Sequence, residues 1–384
     1  MSSSIMAAES TATIERIFVG LPSPVVGRAG AGGHPCQGLY HTPGGQRPST
    51  ALIATHYNID FSEHYLADHM AARGYGFLGW NTRFRGAEPY FLLDHALAEI
   101  AVGIRWLREQ GVERVVLLGN SGGGSLMSAY HSQCQGVTIR PARGRRLLPA
   151  VEDLGPADLF VFLAAHPGRP EILTDWLDPS VVDEDDPTSR DPSLDMYDPA
   201  NGPPYDDEFF TRYRAAQRAR NDRLTDWCIA RLGELEAHGV GDQLFVMRRT
   251  WADPRFVDPA IDPSARTTPL CYLGDPRKAN GGVFGIGTVS TLRSWLTMWS
   301  LRESDCRGVP HLQRLDLPTL LVQPDADNGV FPSQAAEIFD AIAATDKQFL
   351  TMPGRHYFED SPKHREDVAD TVAAWLHDHG SSPT

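Results

Sequence analysis

Short apolar segments alternate with amphipathic segments along most of this chain, and this alternation limits the fold more than any other feature. The apolar segments have the length and composition of buried strands and lie at 16–20, 37–41, 50–55, 76–80, 114–119, 159–164, 319–323 and 347–352. The segments with helical spacing lie at 62–73, 91–110, 122–134, 333–344 and 362–378. Because strands that alternate with helices form βαβ units, the sequence predicts a mostly parallel sheet with helices on both faces.

The alternation stops in the middle of the chain. From Pro167 to Leu317 it is not evident, and helical spacing returns there only at 207–237 and 289–303. The strand predicted at 319–323 then resumes the pattern, which indicates an insertion between two strands of one sheet. We therefore predict two domains. Residues 1–166 and 315–384 form the first, and residues 167–314 form a second, mainly helical one.

Composition and charge limit the classes of partner that this chain is expected to bind. Lys and Arg number 35 against 49 Asp and Glu, a formal net charge of −14, so a nucleic-acid partner is not expected. Five cysteines without a C-x-x-C pair indicate neither a disulfide framework nor a thiolate zinc site, and they predict reduced thiols in a cytoplasmic protein. The first 16 residues lack a secretory pattern, and no run of about 18 apolar residues occurs, so no membrane partner is expected.

A serine flanked by glycines lies where the strand predicted at 114–119 passes into a helix. Residues 119–123 read G-N-S-G-G and fit the pattern G-x-S-x-G. In such a turn the serine hydroxyl projects above the carboxyl edge of the sheet, and the glycines leave the space that the turn needs. The backbone N–H of Gly122 begins the helix and faces the place where an oxyanion would form. We predict that Ser121 is a nucleophile, with a purely structural turn as the alternative.

A nucleophilic serine needs a base, and the base needs an acid that orients it. His356 follows the last predicted strand and precedes the final helix, so we predict that it is the base. Two aspartates, Asp325 and Asp327, follow the penultimate strand. We prefer Asp327 as the acid because its loop leads into a helix, and we keep Asp325 as the alternative. The other one would be a turn or cap residue.

The order Ser121, Asp327, His356 resembles that of the serine hydrolases with the α/β-hydrolase fold. The resemblance covers about residues 45–166 and 315–380. It implies an α/β-hydrolase fold with a mainly helical cap domain inserted between two late strands. A serine at position 121 is unlike the aspartate nucleophile of the dehalogenase and epoxide-hydrolase branches.

The resemblance also implies an oxyanion hole and substrate contacts. Beside Gly122, the second donor would come from the segment His56-Tyr57-Asn58, in which tyrosine stands where the family usually has glycine. The amide of Tyr57 and that of Asn58 are both open as donors.

Four side chains are predicted to contact substrate, and each has a structural alternative. His56 and His166 each end a predicted strand beside the site, although a buried histidine is often structural. Trp295 and Trp299 form a stripe along one side of a predicted helix in the insertion. This stripe lines an apolar pocket or belongs to the core.

The implied activity is hydrolysis of a carboxylic ester or lactone through an acyl-enzyme, with a small-molecule ester as substrate and with no cofactor or metal. Acyl transfer and C–C bond hydrolysis would use the same three residues, and a silent binding protein is a third class. A homodimer through the cap is a further expectation.

Three other features receive structural interpretations. The acidic segment 175–207 lacks the order of an EF-hand loop, so a solvated loop is predicted rather than a metal site. The glycine-rich segment 281–285 lacks the strand and helix of a phosphate-binding loop. Arg83 and Arg85 are predicted to anchor a loop.

Overall fold

The computed structural model of this chain describes residues 13–25 and 34–381. Its strands are β1 (Ile14–Leu21), β2 (Cys36–Pro43), β3 (Thr50–Ala54), β4 (Gly76–Asn81), β5 (Arg114–Asn120), β6 (Leu159–Leu163), β7 (Leu244–Val246), β8 (Val289–Thr291), β9 (Thr319–Pro324) and β10 (Lys347–Met352). Its α-helices are α1 (Ala67–Ala72), α2 (Leu93–Glu109), α3 (Gly123–Cys134), α4 (Arg169–Trp176), α5 (Asp207–Ala237), α6 (Pro276–Asn280), α7 (Leu292–Ser294), α8 (Val309–Leu312), α9 (Pro332–Ala341) and α10 (Pro362–Asp378).

Eight of these strands form one sheet in the order β1-β2-β4-β3-β5-β6-β9-β10. Strand β2 is antiparallel to both of its neighbours, and the other adjacent pairs are parallel. Helix α3 follows directly on the turn after β5. This arrangement is the α/β-hydrolase fold, and the prediction of a mostly parallel sheet is confirmed.

The two faces of the sheet pack against different helices. On β5, Val115 and Leu117 belong to an apolar cluster that includes residues of α2 and α3, whereas Val116 and Leu118 belong to a second cluster with α1 and α10. All four side chains are fully buried. Burial of each such side chain contributes about 1.5–3 kcal/mol, so this alternation fixes the strand between two helical layers.

Residues 164–318 lie between β6 and β9 and contain α4 to α8 and a two-stranded sheet of β7 and β8. We keep the name insertion for residues 167–314 of this segment, the range predicted from the sequence. The helix predicted at 207–237 is confirmed as α5. The helix predicted at 289–303 is wrong at its start, because Val289–Thr291 pair with β7 as a strand. The Thr291 side chain then caps α7 by accepting from Ser294 N, and a π-helical turn follows at Trp295–Trp299.

Part of the acidic segment in the insertion is buried, so the prediction of a solvated loop is wrong there. Asp178 is fully buried and accepts hydrogen bonds from Ser180 N and from Asn280 Nδ2, at 2.9 and 2.7 Å. Glu184 pairs with the buried Arg220 at 2.6 Å. These carboxylates hold the insertion together through partners far away along the chain.

Candidate active site

The candidate catalytic residues lie at one edge of the sheet, where its parallel strands end. Tyr57 follows β3, Ser121 follows β5 and His166 follows β6, while Asp327 and His356 follow β9 and β10. Ligands of α/β sheets bind outside this carboxyl edge. The fold therefore brings together residues that are up to about 300 positions apart.

The turn at Ser121 has the geometry that the glycine pattern predicts. Ser121 has a φ of +55°, a left-handed conformation that is strained for a residue other than glycine. A Cβ at Gly119 would lie 2.7 Å from Gly124 Cα, and one at Gly123 would lie 2.4 Å from the carbonyl oxygen of Thr55. The glycines are therefore required because strand and helix backbones approach closely around the serine.

Asn120 holds this turn from the side. Its Nδ2 donates to the carbonyl oxygen of Leu163 on β6 at 2.8 Å, and its Oδ1 lies 2.9 Å from His64 Nε2. Burial lowers the pKa of His64 to about 4, so this histidine is neutral at pH 7 and donates from Nε2. The contacts attach the turn to a neighbouring strand.

His356 and Asp327 form a buried pair. His356 Nδ1 lies 2.7 Å from Asp327 Oδ2, and Asp327 Oδ1 accepts from the backbone N–H groups of residues 329 and 330 at 2.8 and 3.1 Å. These bonds orient the carboxylate, which in turn orients the imidazole. Asp325 instead accepts from the backbone N–H of Gly354 at 3.2 Å. The structure thus pairs the predicted base with Asp327.

The serine hydroxyl points toward a different histidine. Ser121 Oγ lies 3.4 Å from His166 Nε2, and among the described residues no hydrogen bond joins it to His356. The ring centres of His356 and His166 are 6.0 Å apart, so His356 lies on the same side of the serine as His166. Burial, followed by the charges of His356 and Arg169, lowers the pKa of His166 well below its usual value, so His166 is neutral.

Two backbone donors near Ser121 are free to hold an oxyanion. In the described part of the chain, the N–H groups of Gly122 and Tyr57 have no hydrogen-bond acceptor. The N–H of Asn58 donates to His56 Nδ1 at 3.3 Å, so it is engaged elsewhere. The geometry therefore favours Gly122 and Tyr57 over Asn58. The side chain of Tyr57 is buried, with its hydroxyl 3.1 Å from Ser125 Oγ.

No protein-family model matches this chain, and no curated protein matches it. Solved structures resemble it in shape. The chain is similar to the esterase domain of a Rhodothermus marinus protein, with 13% identity over 95% of this chain and 98% of that one and a TM-score of 0.46.

Two further solved structures show similar values. A monoacylglycerol lipase of Paleococcus ferrophilus has 13% identity over 96% and 99% of the two chains, with a TM-score of 0.45. An α/β hydrolase of Penicillium sp. sh18 has 10% identity over 94% and 97%, with a TM-score of 0.49. The fold assignment rests on this chain's own sheet order and on its turn at Ser121.

His56 presents an unpaired donor to the site. Its Nδ1 accepts from the N–H groups of Asn58 and Ile59, both at 3.3 Å, so its proton lies on Nε2. Nε2 is buried without a partner and lies 2.8 Å from the point where a Cβ of Gly122 would be. Burial first, and the charge of Arg169 second, lower the pKa of His56 well below its usual value.

Sequence reasoning missed Arg169, a buried cation at the start of α4. Its Nη2 donates to Glu88 Oε1 at 2.8 Å. Its guanidinium carbon lies 5.0 Å from the ring centre of Tyr57 and 4.6 Å from that of Trp299. The available signal was its position three residues after His166, at the end of a core strand.

Sequence reasoning also missed Tyr272, which reaches the site from the insertion. Its hydroxyl oxygen lies 2.9 Å from His356 Nδ1 and 3.5 Å from Asp327 Oδ1. Burial raises the pKa of Tyr272 well above its usual value, so the hydroxyl keeps its proton and donates it to Asp327 Oδ1. Nothing in the local sequence around Tyr272 indicates this contact.

The structure also shows the contacts of the two tryptophans and of one arginine that the sequence singled out. Trp299 packs over Arg169, whereas the indole N–H of Trp295 donates to Thr225 Oγ1 at 3.2 Å within the core. Arg83 anchors its loop as predicted, since its Nε donates to the buried Glu99 Oε1 at 2.6 Å.

The described ranges, 13–25 and 34–381, contain neither a cluster of metal ligands nor a membrane-spanning helix. No group of three or more His, Cys, Asp or Glu side chains there is arranged to hold a metal ion. No helix in this part of the chain combines the length and the apolar character needed to cross a bilayer.

Proposed function

We propose that this protein hydrolyses a carboxylic ester or lactone, with Ser121 as nucleophile, His356 as base and Asp327 as the orienting acid. The observation that carries the proposal is the strained Ser121 turn at the same sheet edge as the His356–Asp327 pair. Strain at a non-glycine residue persists only where the surrounding structure enforces it, and it is concentrated at functional sites.

The reaction proceeds through an acyl-enzyme. Ser121 Oγ turns from His166 toward His356 Nε2, gives up its proton there and attacks the carbonyl carbon. The N–H groups of Gly122 and Tyr57 hold the negative charge that develops on the carbonyl oxygen. His356 then protonates the leaving alcohol. A water molecule, activated by His356, repeats the sequence and releases the acid.

The test is hydrolysis of 4-nitrophenyl esters of increasing chain length, together with labelling by a fluorophosphonate. Ser121→Ala is expected to lower kcat by about 10⁴-fold or more and to abolish labelling. Ser128→Ala is the matched control, because Ser128 lies on α3 and donates to the carbonyl oxygen of Gly124. Turnover or labelling that survives Ser121→Ala would remove Ser121 from the mechanism.

Burial of the three residues favours acyl transfer as a second candidate reaction. Ser121 and His356 are each 3% exposed and Asp327 is 2% exposed, and exclusion of water protects an acyl-enzyme from hydrolysis. Product analysis with an added alcohol or amine separates the two reactions. Transfer predicts a new ester or amide as the main product, and hydrolysis predicts the free acid.

A further inference from the structure

Two unpaired donors lie side by side next to the oxyanion hole. The point where a Cβ of Gly122 would be is 2.8 Å from His56 Nε2 and 3.1 Å from Arg169 Nη1. Because residue 122 is a glycine, both side chains occupy the space that a larger residue would fill. The N–H of Gly122 is a proposed oxyanion donor, so this space adjoins the reacting carbonyl.

Neither donor is satisfied within the protein. His56 Nε2 and Arg169 Nε are buried without a partner, and Arg169 Nη1 makes no hydrogen bond to any described residue. The Arg169 side chain is only 2% exposed. A buried donor without an acceptor costs about 1–3 kcal/mol, and more when it is charged, so this arrangement indicates an acceptor that arrives with a ligand.

The donors match a carboxylate. A guanidinium N–H gives a carboxylate a charge-assisted hydrogen bond, and here Nη1 faces the space beside Gly122 while Nη2 is engaged by Glu88. Tyr57 and Trp299 hold the guanidinium group between their rings, so it is already oriented. The Glu88 carboxylate beside it disfavours a dianion such as phosphate.

We propose that Arg169 and His56 form an anion subsite, and that the substrate is an ester bearing a carboxylate within a few bonds of the reacting carbonyl. This inference rests on the proposed function for the reaction itself. Arg169 Nη1 donates to one carboxylate oxygen, and the Nε2–H of His56 donates to the other. The subsite selects half-esters of short dicarboxylic acids over neutral esters.

The test compares monomethyl succinate with methyl succinamate, its neutral analogue, as ligands of the Ser121→Ala protein in calorimetry. Charged hydrogen bonds predict that the carboxylate binds about 10- to 100-fold more tightly. Equal affinity for the two ligands would overturn the proposal, and this comparison needs no substitution at Arg169. Tighter binding of methyl phosphate than of monomethyl succinate would also overturn the assignment to a carboxylate.

Variants in the Ser121→Ala background assign the preference to Arg169. Arg169→Met is expected to bring the affinity ratio close to one, and Arg169→Lys to retain part of it. Arg307→Met, which removes a half-exposed arginine paired with Glu171, is the control and keeps the ratio. If Arg169→Met fails to fold, the double variant Arg169→Met, Glu88→Gln replaces it. The double variant also removes the Glu88 carboxylate that Arg169→Met leaves unpaired. If the folded Arg169→Met protein keeps the full affinity ratio between the two ligands, the proposal is overturned.

Turnover with Ser121 intact separates this subsite from the oxyanion hole. Arg169→Met is expected to lower kcat/KM for monomethyl succinate about 10- to 100-fold more than for methyl succinamate. An equal loss for both would place Arg169 at the reacting carbonyl and overturn the subsite. The binding measurement needs no turnover, so failure of the subsite is distinguishable from failure of ester hydrolysis, which Ser121→Ala and labelling decide.

Discussion

The sheet and the insertion are stabilised in different ways. Along β5, successive side chains enter two apolar clusters on opposite faces, so the pattern is local and repeats every second residue. In the insertion, buried arginines bind carboxylates that are distant in sequence, such as Arg255 with Asp175 across 80 positions. The comparison teaches that the sheet has a local sequence pattern, whereas the insertion depends on long-range polar contacts.

The largest expected effect is on catalysis and concerns the Asp327–His356 pair at the edge of the sheet. Asp327→Asn is expected to lower kcat for ester hydrolysis by about 10³- to 10⁴-fold, because the amide no longer holds His356 in the productive tautomer. Asp325→Asn is the control and should change kcat by less than about tenfold. Steady-state kinetics with a 4-nitrophenyl ester measures both, and equal losses would contradict the assignment.

The next effect concerns a buried arginine of the insertion. Arg255 contacts Asp253 and Asp175 and lies over the ring of Phe331. Arg255→Met removes one of the two arginines that pair with the buried Asp253 and leaves Arg214 as the other, so the free energy of unfolding is expected to fall by about 1.5–3 kcal/mol. Arg302→Met, in an exposed ion-pair cluster, should cost less than about 1 kcal/mol.

Urea denaturation of both arginine variants measures this difference between buried and exposed pairs. If Arg255→Met costs no more than Arg302→Met, the insertion does not depend on its buried ion pairs, and the contrast with the sheet fails.

A third effect tests the histidine beneath the serine turn. The pKa of His64 is about 4 in the folded protein, against about 6.5 in an unfolded chain. As pH falls below about 6.5 the unfolded state binds the proton first, so stability is fully present above that pH and is lost toward pH 4. The loss from His64 is about 2 kcal/mol at pH 5.

Urea denaturation at pH 7 and pH 5 measures this loss. His64→Gln, which still offers a donor to Asn120, should reduce the pH dependence by about that amount. His238→Gln, at an exposed position, is the control and should leave it unchanged. A pH dependence in His64→Gln equal to that of the unsubstituted protein would show that His64 is already protonated in the folded state.

The smallest effect concerns Tyr272, where the insertion meets the edge of the sheet. Tyr272→Phe removes a hydroxyl that lies close to His356 and Asp327 and leaves the ring in place. One hydrogen bond predicts a fall in kcat/KM of about two- to tenfold. Tyr197→Phe, whose hydroxyl binds the carbonyl oxygen of Trp251 within the insertion, is the control. A larger loss in the control would mean that Tyr272 acts only through the folding of the insertion.

Much of the sheet could be predicted from the sequence, because burial on both faces imposes continuous apolar strands. The pattern of glycines around Ser121 was also readable, since close backbone contacts on both sides of the turn exclude a Cβ. The strand at 289–291 was not predicted, because three residues carry too short a pattern to separate strand from helix.

The site was only partly readable. His356 and Asp327 follow strands, so their positions could be inferred from topology. The sequence favoured Asp327 over Asp325 because its loop leads into a helix, and the coordinates pair Asp327 with His356. Arg169 reaches Gly122 and Tyr272 reaches His356 through folding of the insertion, and no spacing along the chain encodes these contacts. The predicted domain boundaries, the cytoplasmic location and the homodimer stay predictions.

The most direct measurement of the central claim is the rate at which a fluorophosphonate labels Ser121, followed by mass spectrometry in His356→Asn and His166→Asn. The proposed relay predicts that His356→Asn slows labelling by about 10²- to 10⁴-fold, because the base paired with Asp327 is lost. His166→Asn should slow it by less than about tenfold. The opposite order, with His166 essential and His356 dispensable, would contradict the account.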